Sequence, residues 1–501
     1  MKQFRVLLVI IASAISAHAQ GDAPKTRVIT LQECIQQALR YNLNLQIERY
    51  NPDISMLNVK SAQAGYDPVF SFSGQHSYSE SGGSGFDPVT GLPRLGSDDR
   101  RNGFESSLGG LLPWGMTYDL FGTMAQNYGT TLGTNDYRNT RGEVGIRMTQ
   151  PLLKNFWIDS TRLNIQVSKN RMKYTVSGLQ FSVMDVVTSV ENAYYDLIAA
   201  RENVKVRQKA MELAERLLAE NKKRVEVGAL APLDEKQAES QVATARADLL
   251  SAQQTLASQQ NIIKALLTDN YRELHDVEYV AGENLAAPVF FFDLQESWTK
   301  GMTQRPDLQQ AKLDLERQGI QLKYDYNQLF PQLDAYGTYG YGAGGVTTIQ
   351  YSDAFSDFSD RNYPFYSVGG VLSFPLSNRG ARNNYKATKI SVQQAVLAVK
   401  RLEQIILAEI DNAVVAAKAS YQRVAATRSA REYAEAALDA EQKKLESGKS
   451  TSFVVLQLQR DLTDARSQEI AALADYNKAL AALAFREGST LDRQKIDVNV
   501  Q

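Results

Sequence analysis

Phe70-Ser71-Phe72-Ser73-Gly74-Gln75-His76-Ser77-Tyr78 sets Phe70, Phe72, Gly74, His76 and Tyr78 in alternation with Ser71, Ser73, Gln75 and Ser77. A strand turns successive side chains to opposite faces, so this stretch reads as a strand with one aromatic-rich face and one small polar face. Three further stretches repeat the pattern. Val144, Ile146 and Met148 alternate with Gly145, Arg147 and Thr149. Leu333, Ala335, Gly337, Tyr339 and Tyr341 alternate with Asp334, Tyr336, Thr338, Gly340 and Gly342. Tyr366, Val368, Gly370, Leu372 and Phe374 alternate with Ser367, Gly369 and Ser373. Each has about the length of a tilted membrane strand, and aromatic residues gather near several ends, as an interface girdle requires. A soluble half-buried sheet gives the same alternation.

The start of the chain favours the membrane reading. Lys2 and Arg5 precede the short apolar run Val6 to Ile15, and Ala17-His18-Ala19 has the small-x-small form of a cleavage site. Residues 1–19 are therefore expected to be a secretory signal, with Gln20 first in the mature chain. The one cysteine, Cys34, can form no intramolecular disulfide and is expected as a small buried residue on a helix. No other stretch approaches the length of an apolar spanning helix. With 55 Lys and Arg against 56 Asp and Glu, the charge balance gives no sign of a nucleic-acid partner.

The chain reads as two copies of one plan. Leu31-Gln32-Glu33, reaching Asn42 and Leu45, parallels Leu294-Gln295-Glu296, reaching Arg305 and Leu308. Pro68 and Gly74 fall on Pro331 and Gly337 at the same offset; Gln150-Pro151-Leu152 parallels Phe374-Pro375-Leu376; Gly228 parallels Gly448. An ordered series of this kind indicates internal duplication. The first repeat is expected over residues 20–290, the second over 291–488, and a tail over 489–501. Each half runs helix, strand, strand, very long helix, turn, long helix. Val183, Val190, Leu197, Val204, Met211, Leu218 and Val225 recur every seventh residue, as do Val242, Leu249, Leu256 and Ile263, which marks helices packed side by side with a shallow supercoil. The first long helix is predicted from about Asp159 to Val227. A plain coiled-coil rod would explain the helices but not the strands.

About four membrane strands per chain are too few to close a barrel. Open edges leave amides and carbonyls unpaired in lipid at a cost of several kcal/mol each, so copies must pool their strands. The fold class expected is mainly α with membrane β: a long helical coiled-coil barrel continuous with a β-barrel shared between copies.

In order and spacing, these features resemble the TolC-like outer-membrane efflux protein family over essentially the whole mature chain. The matching text is Thr30-Leu31-Gln32-Glu33 with Ala38-Leu39 and Asn42, Gln150-Pro151-Leu152, Val227-Gly228, Arg305-Pro306-Asp307-Leu308, Phe330-Pro331, Phe374-Pro375-Leu376, and Gly448 followed by Val455-Leu456. The resemblance implies a homotrimer in the outer membrane, with a pooled twelve-stranded barrel and a periplasmic helical tunnel. It implies a periplasmic adaptor protein and an inner-membrane transporter as partners, in a tripartite efflux pump or type I secretion system. No cofactor, metal or catalytic residue is implied. Phe104, Ser106, Leu108, Gly110 and Leu112 also alternate, before a turn at Pro113-Trp114-Gly115 and a looser alternation over Thr117 to Tyr128. This additional hairpin either joins the wall, raising the strands per chain from four to six, or extends it outside the membrane.

The family's adaptor-docking tips map onto Val227, Gly228, Ala229, Leu230, Pro232 and Leu233, and onto Ser447, Gly448, Lys449, Ser450, Thr451 and Phe453. Glycine ends a helix at little cost because it tolerates positive φ; a mere turn between helices reads the same way. Acidic residues that narrow the tunnel entrance in the best-known members would fall at Val454 and Gln457, which carry no charge. The first tip keeps Asp234, opposite Gln237 in the repeat.

A secreted helical adhesin or rod is the main alternative. A periplasmic enzyme lacks residues to work with. Of three histidines, His18 is in the signal, His76 in a strand, and His275 beside Glu273 and Asp276 in a solvated loop. No nucleophile elbow, phosphate loop or zinc spacing occurs.

Overall fold

The computed structural model describes residues 25–496 except 84, 87, 94, 132–134, 229 and 346–348. The signal, residues 497–501 of the tail, and Ala229 of the first tip lie outside the described residues. In chain order the elements are β1 (Lys25–Ile29), α1 (Leu31–Tyr41), α2 (Leu43–Gln63), β2 (Val69–Ser81), β3 (Ser97–Leu111), β4 (Thr117–Thr131) and β5 (Asn135–Pro151). Then come α3 (Ser160–Glu226), α4 (Pro232–Leu267), β6 (Val277–Ala281), α5 (Leu294–Gln304), α6 (Pro306–Asn327), β7 (Gln332–Ala343) and α7 (Tyr351–Ser359). The chain ends with β8 (Pro364–Ser373), α8 (Arg379–Glu446), α9 (Ser452–Glu487) and α10 (Thr490–Gln494). No helix among the described residues is long and apolar enough to cross a membrane.

Helix starts follow from local chemistry. The Thr30 hydroxyl accepts from Glu33 N at 3.3 Å while the Glu33 carboxylate accepts from Thr30 N at 2.9 Å, a reciprocal cap that opens α1. Asp293 does the same work for α5, accepting from Gln295 N and Glu296 N. The single helix expected after each of these caps is two helices, because Asn42 and Arg305 adopt extended backbone. Both break residues are spent on equivalent bonds. Asn42 donates to the Leu266 carbonyl at 3.2 Å, and Arg305 to the Arg486 carbonyl at 3.2 Å.

The two very long helices span 67 and 68 residues, about 100 Å each at 1.5 Å per residue. Each is followed by a 36-residue helix. The chain forms two compact units.

One unit gathers the chain up to Pro52, Val176–Gln310, and the chain from Lys400. Its core joins Ile35, Val190, Tyr194, Leu197, Ile263 and Tyr279, all essentially without solvent exposure. Cys34 is buried there as expected, and burial pushes its thiol up to about 12. The short parallel pair β1–β6, which periodicity did not reveal, lies against this core. The heptad seam is buried at Val183, Val190 and Leu197, then drifts to Ala214, Leu217 and Asn221. A straight helix of 3.6 residues per turn walks off a seven-residue repeat in this way. In α4 the alanines Ala238, Ala245 and Ala252 form the buried seam, so close helix approach decides which stripe faces inward.

The other unit comprises Asp53–Thr175 and Ala311–Val399. It holds one six-stranded sheet, in the order β2-β3-β4-β5-β7-β8, antiparallel throughout. This corrects the expectation of about four strands. The additional hairpin pairs along its whole length with β2 and β5, closing over a turn where Gly115 N donates to the Leu112 carbonyl. The backbone polar groups of so long a segment need partners, and the sheet edge supplies them. Helices attach at the end of the sheet where β5 and β8 finish. Asn155 and Asn378 both take positive φ there, and the Asn327 side chain accepts from Asn155 N and donates to the Leu153 carbonyl. At the opposite end α7, absent from the sequence-based expectation, lies on the sheet.

Candidate functional site: helix tips and a two-faced sheet

Gly228 and Gly448 end the two long helices with φ of +75° and +71°, and each N–H closes a turn onto the third residue before it. Val227, Leu233 and Phe453 are exposed, as are Pro232, Ser447, Lys449, Thr451 and Val454; Leu230 and Ser450 are half-buried. Both turns thus present apolar side chains to solvent in the isolated chain. Asp234 is half-buried and its carboxylate accepts from Ala231 N at 3.2 Å, so it caps α4. Gln237 is half-buried, and Gln457 is exposed. Lys222 lies 3.7 Å from Glu235, and Lys443 and Lys444 pair with Asp439 and Glu441, as solvated helix faces do.

Sequence reasoning missed the residue that holds the turns together. Asn221 is 1% exposed; it accepts from the Ser452 hydroxyl at 3.0 Å and donates to the Asp234 carbonyl at 3.4 Å. One side chain therefore links the end of α3 to the starts of α4 and α9. The available signal was a polar residue on the inward side of a seam between Leu217 and Val225.

The sheet sorts its chemistry by face. Directly opposed residues share a face, so the register assembles rows across the strands. Gly74, Phe104, Met124, Gly142 and Ala343 form one row; Phe70, Leu108, Leu120, Ile146, Tyr339 and Tyr366 form another; Leu333 and Leu372 end the series. Between Ala343 and Leu333, ten residue steps along β7, this face carries no charged residue. Every apolar set read from the sequence falls on it. The other face carries Glu105, Asp119, Arg141, Glu143, Arg147 and Asp334 among serines and threonines, with Arg147 3.9 Å from Asp119. A face without charge beside a face crowded with it fits a sheet between hydrocarbon and water. His275 bonds Asp276 in the open, with both side chains more than two thirds exposed.

A family model described as outer membrane efflux protein matches residues 34–268 and 302–488. The chain belongs to the outer membrane efflux protein family. This places the efflux protein in the outer membrane, where a sheet with one charge-free face has a solvent to match. Outer membrane protein TolC of Vibrio cholerae is 23% identical over 366 residues, 71% of this chain and 78% of that protein. Nodulation protein T of Rhizobium leguminosarum is 22% identical over 464 residues, 92% of this chain and 85% of that protein. Among solved structures, the CmeC outer membrane channel of Campylobacter jejuni superposes with a TM-score of 0.65 at 15% identity, covering 93% of this chain and 90% of that one. VceC of Vibrio cholerae gives 0.64 at 18% identity, covering 91% and 96%. These likenesses establish the fold of the efflux protein.

Proposed function

We propose that this efflux protein is one subunit of a homotrimeric channel that passes cargo through the outer membrane. The observation that carries the reading is the open six-stranded sheet with one charge-free face. Its ten residue steps measure about 33 Å along a strand, or about 25 Å tall at the usual tilt, which matches the apolar band of an outer-membrane barrel. Edge strands β2 and β8 leave backbone groups that lipid cannot satisfy, so each β8 would pair with β2 of the next copy. Three six-stranded sheets make a wall of eighteen strands rather than the twelve implied by resemblance, wide enough for an aqueous lumen lined by the charged face.

The internal duplication belongs to the same proposal, with repeats over 20–290 and 291–488. Helix lengths matched to within one residue, the paired caps, and the equivalent bonds of Asn42 and Arg305 support it. Six similar tips per trimer would face the periplasm and dock an adaptor, coupling the channel to an inner-membrane transporter in a pump or a type I secretion system. Asp234, Gln237, Val454 and Gln457 would line the entrance, with little charge to gate it.

Mass measurement of the detergent-purified protein, with conductance in planar bilayers, tests the channel. A trimer with a stepwise conductance is expected. A monomer with an intact sheet, or recovery in the soluble periplasmic fraction, overturns the reading. Docking is tested by Leu230→Asp and Phe453→Asp on folded trimers. Burying an unpaired carboxylate against an apolar surface costs more than the roughly 2–7 kcal/mol of a neutral polar group, enough to lower adaptor affinity by orders of magnitude. If both variants capture adaptor and export normally, the tips are only turns.

A further inference from the structure

Beyond the charge-free band, at the end of the sheet away from the long helices, the same face changes character in steps. The first row is polar, without acid, lysine or arginine: His76, Asn102, Gln126 and Thr140. Gln126 and Thr140 are sealed under the start of α7, both donating to the Ile349 carbonyl. The next row is Tyr78, Arg100, Tyr128 and Arg138, opposed pair by pair across four strands. The Arg100 guanidinium lies 5.4 Å from the Tyr78 ring and 6.0 Å from the Tyr128 ring, and that of Arg138 lies 5.5 Å from Tyr128. The row after that carries Glu80, Asp98 and Asp136. Hydrocarbon-like, polar, cationic and anionic rows thus follow one another outward.

We propose that the Tyr78–Arg100–Tyr128–Arg138 row binds the phosphate of an anionic lipid headgroup in the leaflet away from the helices. The inference rests on the charge-free face meeting lipid. A guanidinium held near a tyrosine ring by cation–π attraction spends no hydrogen bond on that contact, so its N–H fork can still fit two phosphate oxygens. Both arginines are exposed. Arg138 has no carboxylate within ion-pair distance among the described residues, and Arg100 has only Asp98, at 3.5 Å. Asp98 is shared: its Oδ1 accepts from the Thr130 amide and hydroxyl, and only its Oδ2 faces the Arg100 Nε. A soluble partner could meet these arginines at any height. A phosphate anchored to acyl chains is delivered to this row, one polar layer above the apolar band, and the carboxylates beyond repel it from sitting further out. The tyrosines suit the same depth, with rings toward lipid and hydroxyls toward water.

The full-length protein would be placed in phosphatidylcholine nanodiscs with or without lipid A, and lipid retained through detergent exchange read by native mass spectrometry. The variants are Arg100→Gln with Arg138→Gln, and Arg101→Gln with Arg141→Gln on the opposite face. The proposal expects selective retention of lipid A, weakened at least about tenfold in the first pair and unchanged in the second. Equal retention in both pairs, equal retention of phosphatidylcholine, or displacement by inorganic phosphate at the same concentration overturns it. A spin label at Leu108→Cys reports separately on the underlying reading; Cys34 is buried and leaves the label specific. Oxygen access at Leu108 with unaltered lipid retention sinks the headgroup site alone, whereas aqueous access there sinks the membrane face and the proposal with it.

Discussion

Asn221 shows how one side chain can govern a helix junction. Its amide satisfies a buried hydroxyl and a carbonyl at once, so Asn221→Ala leaves both without a partner. The expected cost is about 1–3 kcal/mol in a denaturant titration, whereas Thr451→Ala, whose side chain makes no capping bond, should stay within about 0.5 kcal/mol. Equal effects would remove Asn221 from its assigned role. Glu191 is a second residue-scale constraint. It is buried on α3 against α10, with Arg493 at 3.8 Å and the Gln494 amide donating to it. Burial raises its carboxyl above the ordinary 4.5, outweighing Arg493 and Gln494. The folded state therefore holds this proton more tightly than the unfolded chain. Stability contributed by the group is largest below the ordinary value and is lost as pH rises through the raised one. Glu191→Gln should accordingly be more stable than the parent at pH 7, with the advantage gone at about pH 4. An advantage that does not change with pH would contradict the assignment.

Among the elements, close approach of α5 to α8 depends on Gly301. A Cβ there would meet Ile410 Cδ1 at 2.4 Å and Ile406 Cγ2 at 3.3 Å, and both isoleucines are fully buried. Gly301→Val should cost about 1–3 kcal/mol by overpacking. Gly319 in α6 has open space at its Cβ, so Gly319→Ala should instead stabilise by about 0.5–1 kcal/mol. Thermal unfolding of the two variants separates the cases; a harmless Gly301→Val would mean that α5 is free to shift. Two elements escaped periodicity. The strands β1 and β6 are five residues each, too short to display a period, and α7 is nine. Each is held by its neighbours rather than by its own pattern.

At the scale of the molecule, the proposed channel rests on the two faces of the sheet. Ile146 lies near the middle of the charge-free band, so Ile146→Arg should cost about 2–4 kcal/mol of folding free energy in a bilayer. Thr123→Arg, one face over among Glu105 and Glu143, should cost little. Refolding titrations into lipid vesicles give both numbers. Equal costs would mean that neither face meets hydrocarbon.

Alternation in Phe70–Tyr78 and its three counterparts placed the apolar set of each strand on one shared face, because a strand has a period of two whatever it packs against. The first part of the α3 seam, Val183 to Leu197, and the glycine stops at Gly228 and Gly448 were legible for the same reason: helical periodicity and positive φ are local properties. How many strands join one sheet was not, since the hairpin of β3 and β4 could pair or stand apart, and hydrogen bonding between distant segments chose pairing. Nor was it visible that Asn42 and Arg305 end one helix and begin another, or that Asn221 ties three helices. Those roles depend on the Leu266 and Arg486 carbonyls and the Ser452 hydroxyl, 181 to 231 positions away, which only the folded chain brings within reach.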